Sequence, residues 1–352
     1  MRKESVDFLK ELVETPSPSG FESAAQKLVK EYLKGCVDDA TVDVHGNLIT
    51  TKNVGGSPTV MLAGHVDEIG LMVTYINDDG YMSFASIGGI DASLLAGQRV
   101  WIDGSRGRVT GVVGKKPIHL MDADEKKKVP KIKKLWIDIG AKNKKDAEKW
   151  VRVGDTAVIA VGFEEIKNGM AVARGFDDKI GSFVVAETMR IISRRKLHAA
   201  VYGVSTVQEE IGLRGAKTSA FGISPDVGIA IDVGFATDFP TSEKGLTGEV
   251  KMGKGPMLYR GPNINPVVGK LLMDAAEKKK IPYQLKAAPR ATGTDANAIQ
   301  LTKAGVAAAL VSIPNRYMHT PVEIVSLRDA ANAAELLAAF ICDLRPGTDF
   351  TP

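Results

Sequence analysis

The chain has 352 residues, 44% hydrophobic and 25% charged, which is typical of a globular protein with one large domain and a smaller one. Its 46 basic and 42 acidic side chains give a net charge of +4, so we expect neither nucleic acid nor a membrane as its main partner. Neither a targeting peptide nor an apolar run of the roughly 18 residues that a membrane span needs is visible. Cys36 and Cys342 are too few for a disulfide framework, so we expect reduced thiols and a cytoplasmic location.

The first candidate site follows an apolar run near the N-terminal third of the chain. Two helical patterns, over residues 4–34, are divided by the turn sequence at 16–20. The run 58–63 then leads into Gly64, His65, Val66 and Asp67. Along an extended chain His65 and Asp67 lie on the same side, a spacing that suits a histidine ligand with a carboxylate close behind it. The alternative is a core histidine with an incidental acidic neighbour.

Residues 72–162 differ from the rest of the chain in their sequence pattern and are the clearest candidate for an inserted domain. Short strand-like pieces punctuated by glycine predict a small β-barrel or sandwich, with strands at 81–87, 98–102, 109–113, 136–139 and 156–161. Lysines cluster at 126–128, 131, 133, 134, 142, 144 and 145. They could form an anion-binding strip, although solvated loop charge is the simpler interpretation. His119 lies in this region and is expected to pack locally.

Regular α/β alternation resumes after Gly169. Asp177 and Asp178 precede a helical pattern, and one of them is expected to cap the helix. The other is then free to act in catalysis or metal binding, and we assign that role to Asp177. The buried-strand run 201–206 opens into Glu209 and Glu210. Adjacent side chains there point in different directions, so one carboxylate can bind a metal while its neighbour accepts a proton. The alternative is a solvated surface pair.

Three further candidates follow along the chain. The strand pattern 226–231 places Asp232 at its exit, where a charge is costly unless it is paired or bound to metal. The loop 291–296 precedes a helix that Thr294 or Asp295 is expected to cap, while free amides nearby could hold a substrate. The strand 306–313 brings His319 just past its end, and a helix over 328–344 is predicted to pack on the core.

These candidates are expected to converge on one crevice, because the carboxyl ends of strands in an open α/β sheet meet at one edge. A mixed set of nitrogen and oxygen ligands suits zinc, cobalt or manganese. One carboxylate shared by two metals, with a histidine and a second carboxylate on each, makes a well-proportioned dinuclear site. The candidates at strand ends are His65, Glu209 or Glu210, Asp232 and His319, and Asp177 is the one at a helix start.

Five short segments closely resemble the tetrahedral (TET) aminopeptidases, cocatalytic metallopeptidases that include glutamyl, leucyl and deblocking members. They are Ala63–Gly70, Phe176–Lys179, Val207–Gly212, Ile231–Gly234 and His319–Pro321, and they occur in the same order over nearly the whole chain. Arg174 and Gly175 differ from the small or apolar residues expected before Phe176. This difference would alter the pocket wall and leave the metal ligand Asp177 unchanged.

The resemblance implies a residue-by-residue site with two divalent ions, zinc or cobalt, with manganese as a third candidate. Asp177 would bridge the ions, His65 and Asp232 would complete one site, and Glu210 and His319 the other. Glu209 would be the general base for a bridging water, and Asp67 would orient the His65 side.

The resemblance also implies an α/β/α metallopeptidase domain with a mixed central sheet, formed by residues 1–71 and 163–352. A β-barrel-like domain at 72–162 would interrupt it and mediate self-association, and dimers would assemble into a homo-dodecamer that admits peptides.

Two other functions compete with an aminopeptidase. A glycoside hydrolase, a label that some relatives of this family have carried, would use paired carboxylates about 5 Å or more apart and needs no histidine ligands. A non-catalytic metal-binding assembly protein would bind metal without turning over peptides. Serine hydrolases and nucleotide-binding proteins are excluded, because their glycine-rich motifs are absent.

Overall fold

The computed structural model describes all 352 residues and contains seventeen strands and ten α-helices, with four short 3-10 helices between them. The strands are β1 (Asp39–Val42), β2 (Leu48–Lys52), β3 (Thr59–His65), β4 (Gly70–Ile76), β5 (Met82–Ile87), β6 (Arg99–Gly104), β7 (Gly107–Gly114), β8 (Trp136–Asp138), β9 (Thr156–Ile159), β10 (Glu164–Ile166), β11 (Met170–Ala173), β12 (Ala200–Thr206), β13 (Val227–Phe235), β14 (Met257–Arg260), β15 (Gln284–Ala287), β16 (Ala307–Arg316) and β17 (Glu323–Ser326). The helices are α1 (Lys3–Glu14), α2 (Ser23–Tyr32), α3 (Ala123–Lys126), α4 (Lys144–Ala147), α5 (Phe176–Ile192), α6 (Arg214–Ile223), α7 (Lys244–Thr247), α8 (Pro266–Lys279), α9 (Asp295–Gln300) and α10 (Leu327–Asp343).

A mixed sheet of eleven strands forms the centre of the larger part of the molecule. Its main path runs β1-β2-β12-β3-β13-β16-β17-β11-β10, and β14 and β15 extend it from β16. The four central strands β12, β3, β13 and β16 are parallel, and the strands that flank them on the main path pair antiparallel. On the branch, β14 pairs antiparallel with β16 and parallel with β15. This mixed α/β architecture confirms the predicted fold class.

The central strands are buried on both faces, and alternate residues of β3 show why. Val60 and Leu62 belong to a core of 52 buried residues that includes side chains of α1, α5, α8 and α10. Met61 and Ala63 face the opposite side, where they pack against residues of α6 and α9. Side chains alternate along a strand, so an apolar run is expected where helices cover both faces. The result is a three-layer α/β/α arrangement.

The strands β4 to β9 close into a separate barrel in the order β4-β5-β8-β7-β6-β9. Its interior is an independent core of 14 buried residues. All five predicted strands are present, and β4, which was not predicted as a strand, closes the barrel between β5 and β9. The barrel confirms the predicted inserted β-domain as a fold. The division of the chain at 72 and 162 stays a prediction, since barrel strands run from Gly70 to Ile159.

Several local predictions can be compared with the structure. Asp232 lies inside β13, not at its exit, because the strand continues to Phe235. Thr294 occupies the N-cap position of α9 without a side-chain cap, and the Asp295 carboxylate binds the Thr206 hydroxyl instead, so the predicted cap was wrong. Cys36 and Cys342 are unpaired and half-buried. None of the helices combines the length and apolar character needed to cross a bilayer.

Candidate metal centre

The predicted site residues reach one edge of the sheet from four parallel strands. His65 is the last residue of β3, Glu209 and Glu210 follow β12, Asp232 lies in β13, and His319 follows β16. Parallel strands present their carboxyl ends at the same edge, so these side chains share a crevice. The crevice is a cavity of about 640 Å³ lined by Glu209 and all five predicted ligands: His65, Asp177, Glu210, Asp232 and His319.

A close backbone contact brings the fifth ligand to this edge. A Cβ atom on Gly64 would lie 2.5 Å from the carbonyl carbon of Gly181, so β3 and α5 touch at a distance that only glycine permits. The Ser182 hydroxyl strengthens the contact by donating to the Gly64 carbonyl at 2.8 Å. Because α5 begins just before this point, its first residues lie beside His65.

Asp177 lies between the two histidines. Its Oδ1 is 3.3 Å from Nε2 of His65, and its Oδ2 is 3.0 Å from Nε2 of His319. Glu210 is on the His319 side, with Oε1 3.4 Å from the same Nε2 atom. The two oxygens of Asp177 therefore face different imidazoles, as a carboxylate shared by two metal ions must.

Asp178 is the capping residue of the pair. Its Oδ1 accepts a hydrogen bond from the amide of Gly181 at 3.1 Å, and its Oδ2 accepts one from the amide of His65 at 3.2 Å. Ligand atoms of His65, Asp178 and Asp232 do lie within 4.8 Å of one another, as do those of His65, Asp177 and Glu210. Both oxygens of Asp178 therefore bind backbone amides, whereas both oxygens of Asp177 face imidazoles.

Both imidazoles are oriented by a backbone carbonyl that binds Nδ1, so that Nε2 faces the site. Nδ1 of His65 is 3.0 Å from the carbonyl oxygen of Asp67, and Nδ1 of His319 is 2.9 Å from the carbonyl oxygen of Gly89. A carbonyl can only accept, so each Nδ1 carries a proton, and Nε2 is the nitrogen turned toward the carboxylates, where a metal would replace its proton. Gly89 follows β5 in the barrel, so the inserted domain orients one of the candidate ligands.

Asp67 supports the loop that carries the two glutamates. Its carboxylate accepts hydrogen bonds from the amides of Glu209 at 3.0 Å and Glu210 at 3.2 Å, and from the Ser19 hydroxyl at 2.6 Å. Its Oδ1 also lies 3.5 Å from Nδ1 of His65. Asp67 is fully buried and does not line the cavity. It therefore contacts His65 and also holds the backbone of Glu209 and Glu210 in place.

The sequence analysis missed Glu323, a buried carboxylate behind the site. Its Oε2 accepts from the amide of Asp177 at 2.8 Å, and its Oε1 accepts from the amide of His319 at 2.9 Å. One side chain thus ties together the backbones of two candidate ligands that come from distant parts of the chain. Its position four residues after His319 was the only signal in the sequence.

Asp295 was also assigned the wrong role. Its Oδ2 accepts a hydrogen bond from the Thr206 hydroxyl at 2.6 Å, and its buried Oδ1 has no hydrogen-bond partner. Burial raises the pKa of Asp295 to about 6. Its negative charge is one of those that act on Glu209. Asp295 therefore belongs to the polar surroundings of the site.

The electrostatics of the site favour added positive charge. Burial and neighbouring carboxylates raise the pKa values of Asp178, Asp232 and Glu323 well above the usual range. The nearby carboxylates of Asp177 and Glu210 raise the pKa of His319 to about 11. Burying so many carboxylates without compensating cations is costly. Divalent cations fit this donor set, and the buried Oε1 of Glu210, which lacks a hydrogen-bond partner, offers a vacant ligand position.

Arg174, the residue that departs from the family pattern, connects the sheet to the barrel. Its guanidinium lies 3.2 Å from the Glu68 carboxylate and donates to the Val161 carbonyl at 2.8 Å. It also lies over the Trp101 ring, 5.2 Å from the centroid. Arg174 and Glu68 line a small cavity of about 40 Å³ that reaches Asp177.

Comparisons with known proteins identify the family to which the chain is similar. The family model for M42 glutamyl aminopeptidases matches residues 46–336. A lysyl aminopeptidase of Pyrococcus furiosus is 39% identical over 350 residues, which cover 98% of this chain and 99% of the relative. A TET aminopeptidase from a marine sediment archaeon of the Thaumarchaeota superposes with a TM-score of 0.92 at 36% identity, over 97% of this chain and 96% of the other. The TET1 peptidase of Pyrococcus horikoshii, which can assemble into a tetrahedron or an octahedral shell, has a TM-score of 0.86 at 33% identity over 97% and 100% of the two chains.

Proposed function

The chain belongs to the M42 glutamyl aminopeptidase family, and on that premise we propose that it releases N-terminal residues from peptides with two divalent metal ions. Asp177 would contribute to both ions, His65 and Asp232 would hold one of them, and Glu210 and His319 would hold the other. When bound, two such ions supply Lewis-acid chemistry at a peptide carbonyl and lower the pKa of water between them. The observation that carries the proposal is the position of Asp177, whose two oxygens face different imidazoles.

Glu209 is the proposed general base. Its Oε2 lies 3.7 Å from Nε2 of His65, beside the ligands, and its side chain lines the cavity. Burial and the charges of Asp232 and Asp295 raise its pKa to about 10, against the effect of His65. Positive charge at the metal sites favours the ionised carboxylate, which accepts a proton from water and returns it to the leaving amine.

Asp67 and Glu323 position these groups without touching the substrate. Asp67 binds the amides of Glu209 and Glu210, and Glu323 binds the amides of Asp177 and His319. Groups held in this way keep the geometry of the reacting atoms fixed, which is where much of an enzyme's rate enhancement originates. We therefore assign positioning roles to both carboxylates.

The test separates metal binding from proton transfer. Chelation is expected to abolish release of the N-terminal residue from aminoacyl-nitroanilides, and readdition of zinc or cobalt is expected to restore it. Glu209→Gln is expected to keep its metal content while kcat falls about 10²- to 10⁴-fold. The control is Glu165→Gln, because Glu165 is exposed on β10 and makes no ion pair. Near-normal turnover by Glu209→Gln would remove Glu209 from the role of base.

The same assay distinguishes the competing functions. A glycoside hydrolase would cleave a β-glucan after chelation, and a non-catalytic metal-binding protein would turn over no peptide with any metal. Histidines on both sides of Asp177 support metal-dependent chemistry instead of a carboxylate pair acting alone. Zinc or cobalt as the metal and the cytoplasm as the location are part of this proposal.

We also propose that the chain self-associates through the barrel and builds a dodecamer from dimers. The support is the barrel itself, which has its own core, and the assemblies formed by the TET1 relative. Light scattering after size exclusion is expected to give twelve times the monomer mass. A monomer at all concentrations would contradict the assembly and leave the chemistry untouched.

A further inference from the structure

A long connection on the barrel carries a second cavity that the proposed chemistry does not use. Residues 115–135 join β7 to β8 and contain only short helical turns, including α3. Connections of this length are uncommon within compact domains and are often functional. The segment folds around a cavity of about 590 Å³, lined by seven lysines between 115 and 134 and by Trp136 at the start of β8. We refer to this feature as the lysine groove.

The lysine groove concentrates the positive charge of the whole chain. Residues 115–134 hold eight lysines and three acidic residues, a net +5, while the 352-residue chain has a net +4, so the remainder carries −1. All eight lysines are exposed. Only Lys116 has a carboxylate partner within 4.0 Å, Glu125 at 2.7 Å, which is also the only acid lining the cavity. Such a single-sign concave surface attracts an anion of extended shape.

Exposed apolar side chains on the same segment indicate which class of anion the groove would bind. Ile118, Leu120 and Val129 are 58%, 69% and 63% exposed. The segment has no arginine, and Trp136, the only aromatic residue lining the cavity, packs edge-on against Tyr81. Sites for single-stranded nucleic acid stack successive bases on several aromatic side chains, and this cavity has only one aromatic lining residue. Lysines beside exposed aliphatic side chains instead complement a polypeptide that carries both carboxylates and apolar groups.

The groove is separate from the metal centre. Tyr81 directly precedes β5, and Trp136 of β8 packs against it because Met82 pairs with Ile137. Gly89, which contacts His319, follows the other end of that strand. The five residue steps of β5 span about 17 Å at roughly 3.3 Å per residue. A peptide whose N-terminal residue is at the metal centre needs at least about six further residues to reach the groove.

We propose that the lysine groove binds acidic, partly apolar polypeptide segments and holds the body of long acidic peptides whose N-terminal residue is at the metal centre. The binding claim stands on the groove alone, and its consequence for hydrolysis rests on the proposed aminopeptidase function. Short peptides, and long neutral ones, are not retained by this surface.

Binding is measured without catalysis. The probe is a fluorescent, N-acetylated peptide of about twelve alternating glutamates and leucines, compared by anisotropy with its glutamine analogue on the full-length protein. The groove variant replaces three lysines by glutamine, and a matched control replaces three exposed, unpaired lysines of α1 and α2. The substitutions are Lys131→Gln, Lys133→Gln and Lys134→Gln in the first, and Lys10→Gln, Lys27→Gln and Lys30→Gln in the second.

We expect the wild type and the control to bind the acidic peptide at least about tenfold more tightly than its glutamine analogue, and the groove variant to lose that difference. Binding is also expected to weaken as salt rises, because exposed charges are screened. Equal affinity of the groove variant and the control for the acidic peptide would overturn the proposal. So would tighter binding of a single-stranded oligonucleotide or of anionic vesicles than of the peptide.

A kinetic comparison keeps this proposal distinct from the proposed function. Two unblocked peptides share an N-terminal leucine and a length of about twelve residues, and differ in an acidic or a glutamine-containing body. The wild type is expected to show a lower KM for the acidic peptide, and the groove variant equal KM values with unchanged kcat for the neutral one. An equal KM in the wild type would refute docking. If neither peptide is cleaved, the aminopeptidase proposal fails, while anisotropy still decides the groove.

Discussion

Replacing Glu323 by glutamine tests whether a residue that touches no substrate sets the affinity of the metal centre. Each oxygen of Glu323 accepts one backbone amide, from Asp177 at 2.8 Å and from His319 at 2.9 Å. Glutamine keeps one oxygen, so one of the two amides faces an NH₂ group and loses its acceptor. A buried donor without a partner costs about 1–3 kcal/mol. The lost hydrogen bond is one of the two that hold the backbone of the candidate ligands Asp177 and His319 in place.

We expect the Kd for zinc of Glu323→Gln to rise about 10- to 100-fold, the range typical when a group that orients a metal ligand is removed. Competition against a chelating indicator measures the Kd, and circular dichroism confirms the fold. Excess zinc is expected to restore most of the activity. The matched control is Glu335→Gln on α10, because that side chain is 56% exposed and its nearest basic partner is 3.9 Å away. A Kd equal to that of the wild type would refute the positioning role.

Two further predictions concern charge near the site. Burial raises the pKa of Glu22 from 4.5 to about 7, so its contribution to stability is complete below about pH 4.5 and is lost as the pH rises through 7. Glutamine retains the oxygen that accepts hydrogen bonds from the amides of Gly20 and Gln208. In urea unfolding, Glu22→Gln is therefore expected to be more stable than the wild type by up to about 3 kcal/mol at pH 8 and to differ little at pH 4. Equal stability differences at the two pH values would contradict the pKa shift. Lys286 is half-buried, has no acidic partner and is the only lysine or arginine that lines the site cavity. Lys286→Met is expected to raise KM about tenfold for substrates with an acidic N-terminal residue and to leave KM for leucyl substrates unchanged. A uniform change in KM would show that Lys286 does not select charge.

The candidate residues that could be identified from the sequence each follow a local pattern, such as an apolar strand run or a helix start, that indicates where they lie in the fold. His65 and His319 follow apolar runs that form central strands, so their place at the sheet edge could be predicted from chain order. The choice of Asp177 over Asp178 depended on the expectation that one of them caps a helix, and Asp178 does bind the Gly181 amide. The barrel was recognisable because short strands separated by glycine recur through the insert.

The residues that were missed act through contacts with distant backbone groups. Glu323 binds an amide 146 residues away, and the Gly89 carbonyl binds an imidazole 230 residues away. No local pattern encodes such a pairing, and glycine offers no side chain to suggest one. Asp295 was assigned as a cap from its neighbours, but the Thr206 hydroxyl competes for its carboxylate in the folded chain. Tertiary contacts thus override local preference mainly around the site.

The most direct test of the account is the location of metal in crystals grown with zinc and measured at the zinc absorption edge. We expect two anomalous peaks per chain, about 3.5–4 Å apart, with one oxygen of Asp177 on each. One peak should adjoin His65 and Asp232, and the other Glu210 and His319. A single peak, or peaks that leave Asp177 without a metal, would contradict the shared carboxylate and the chemistry built on it.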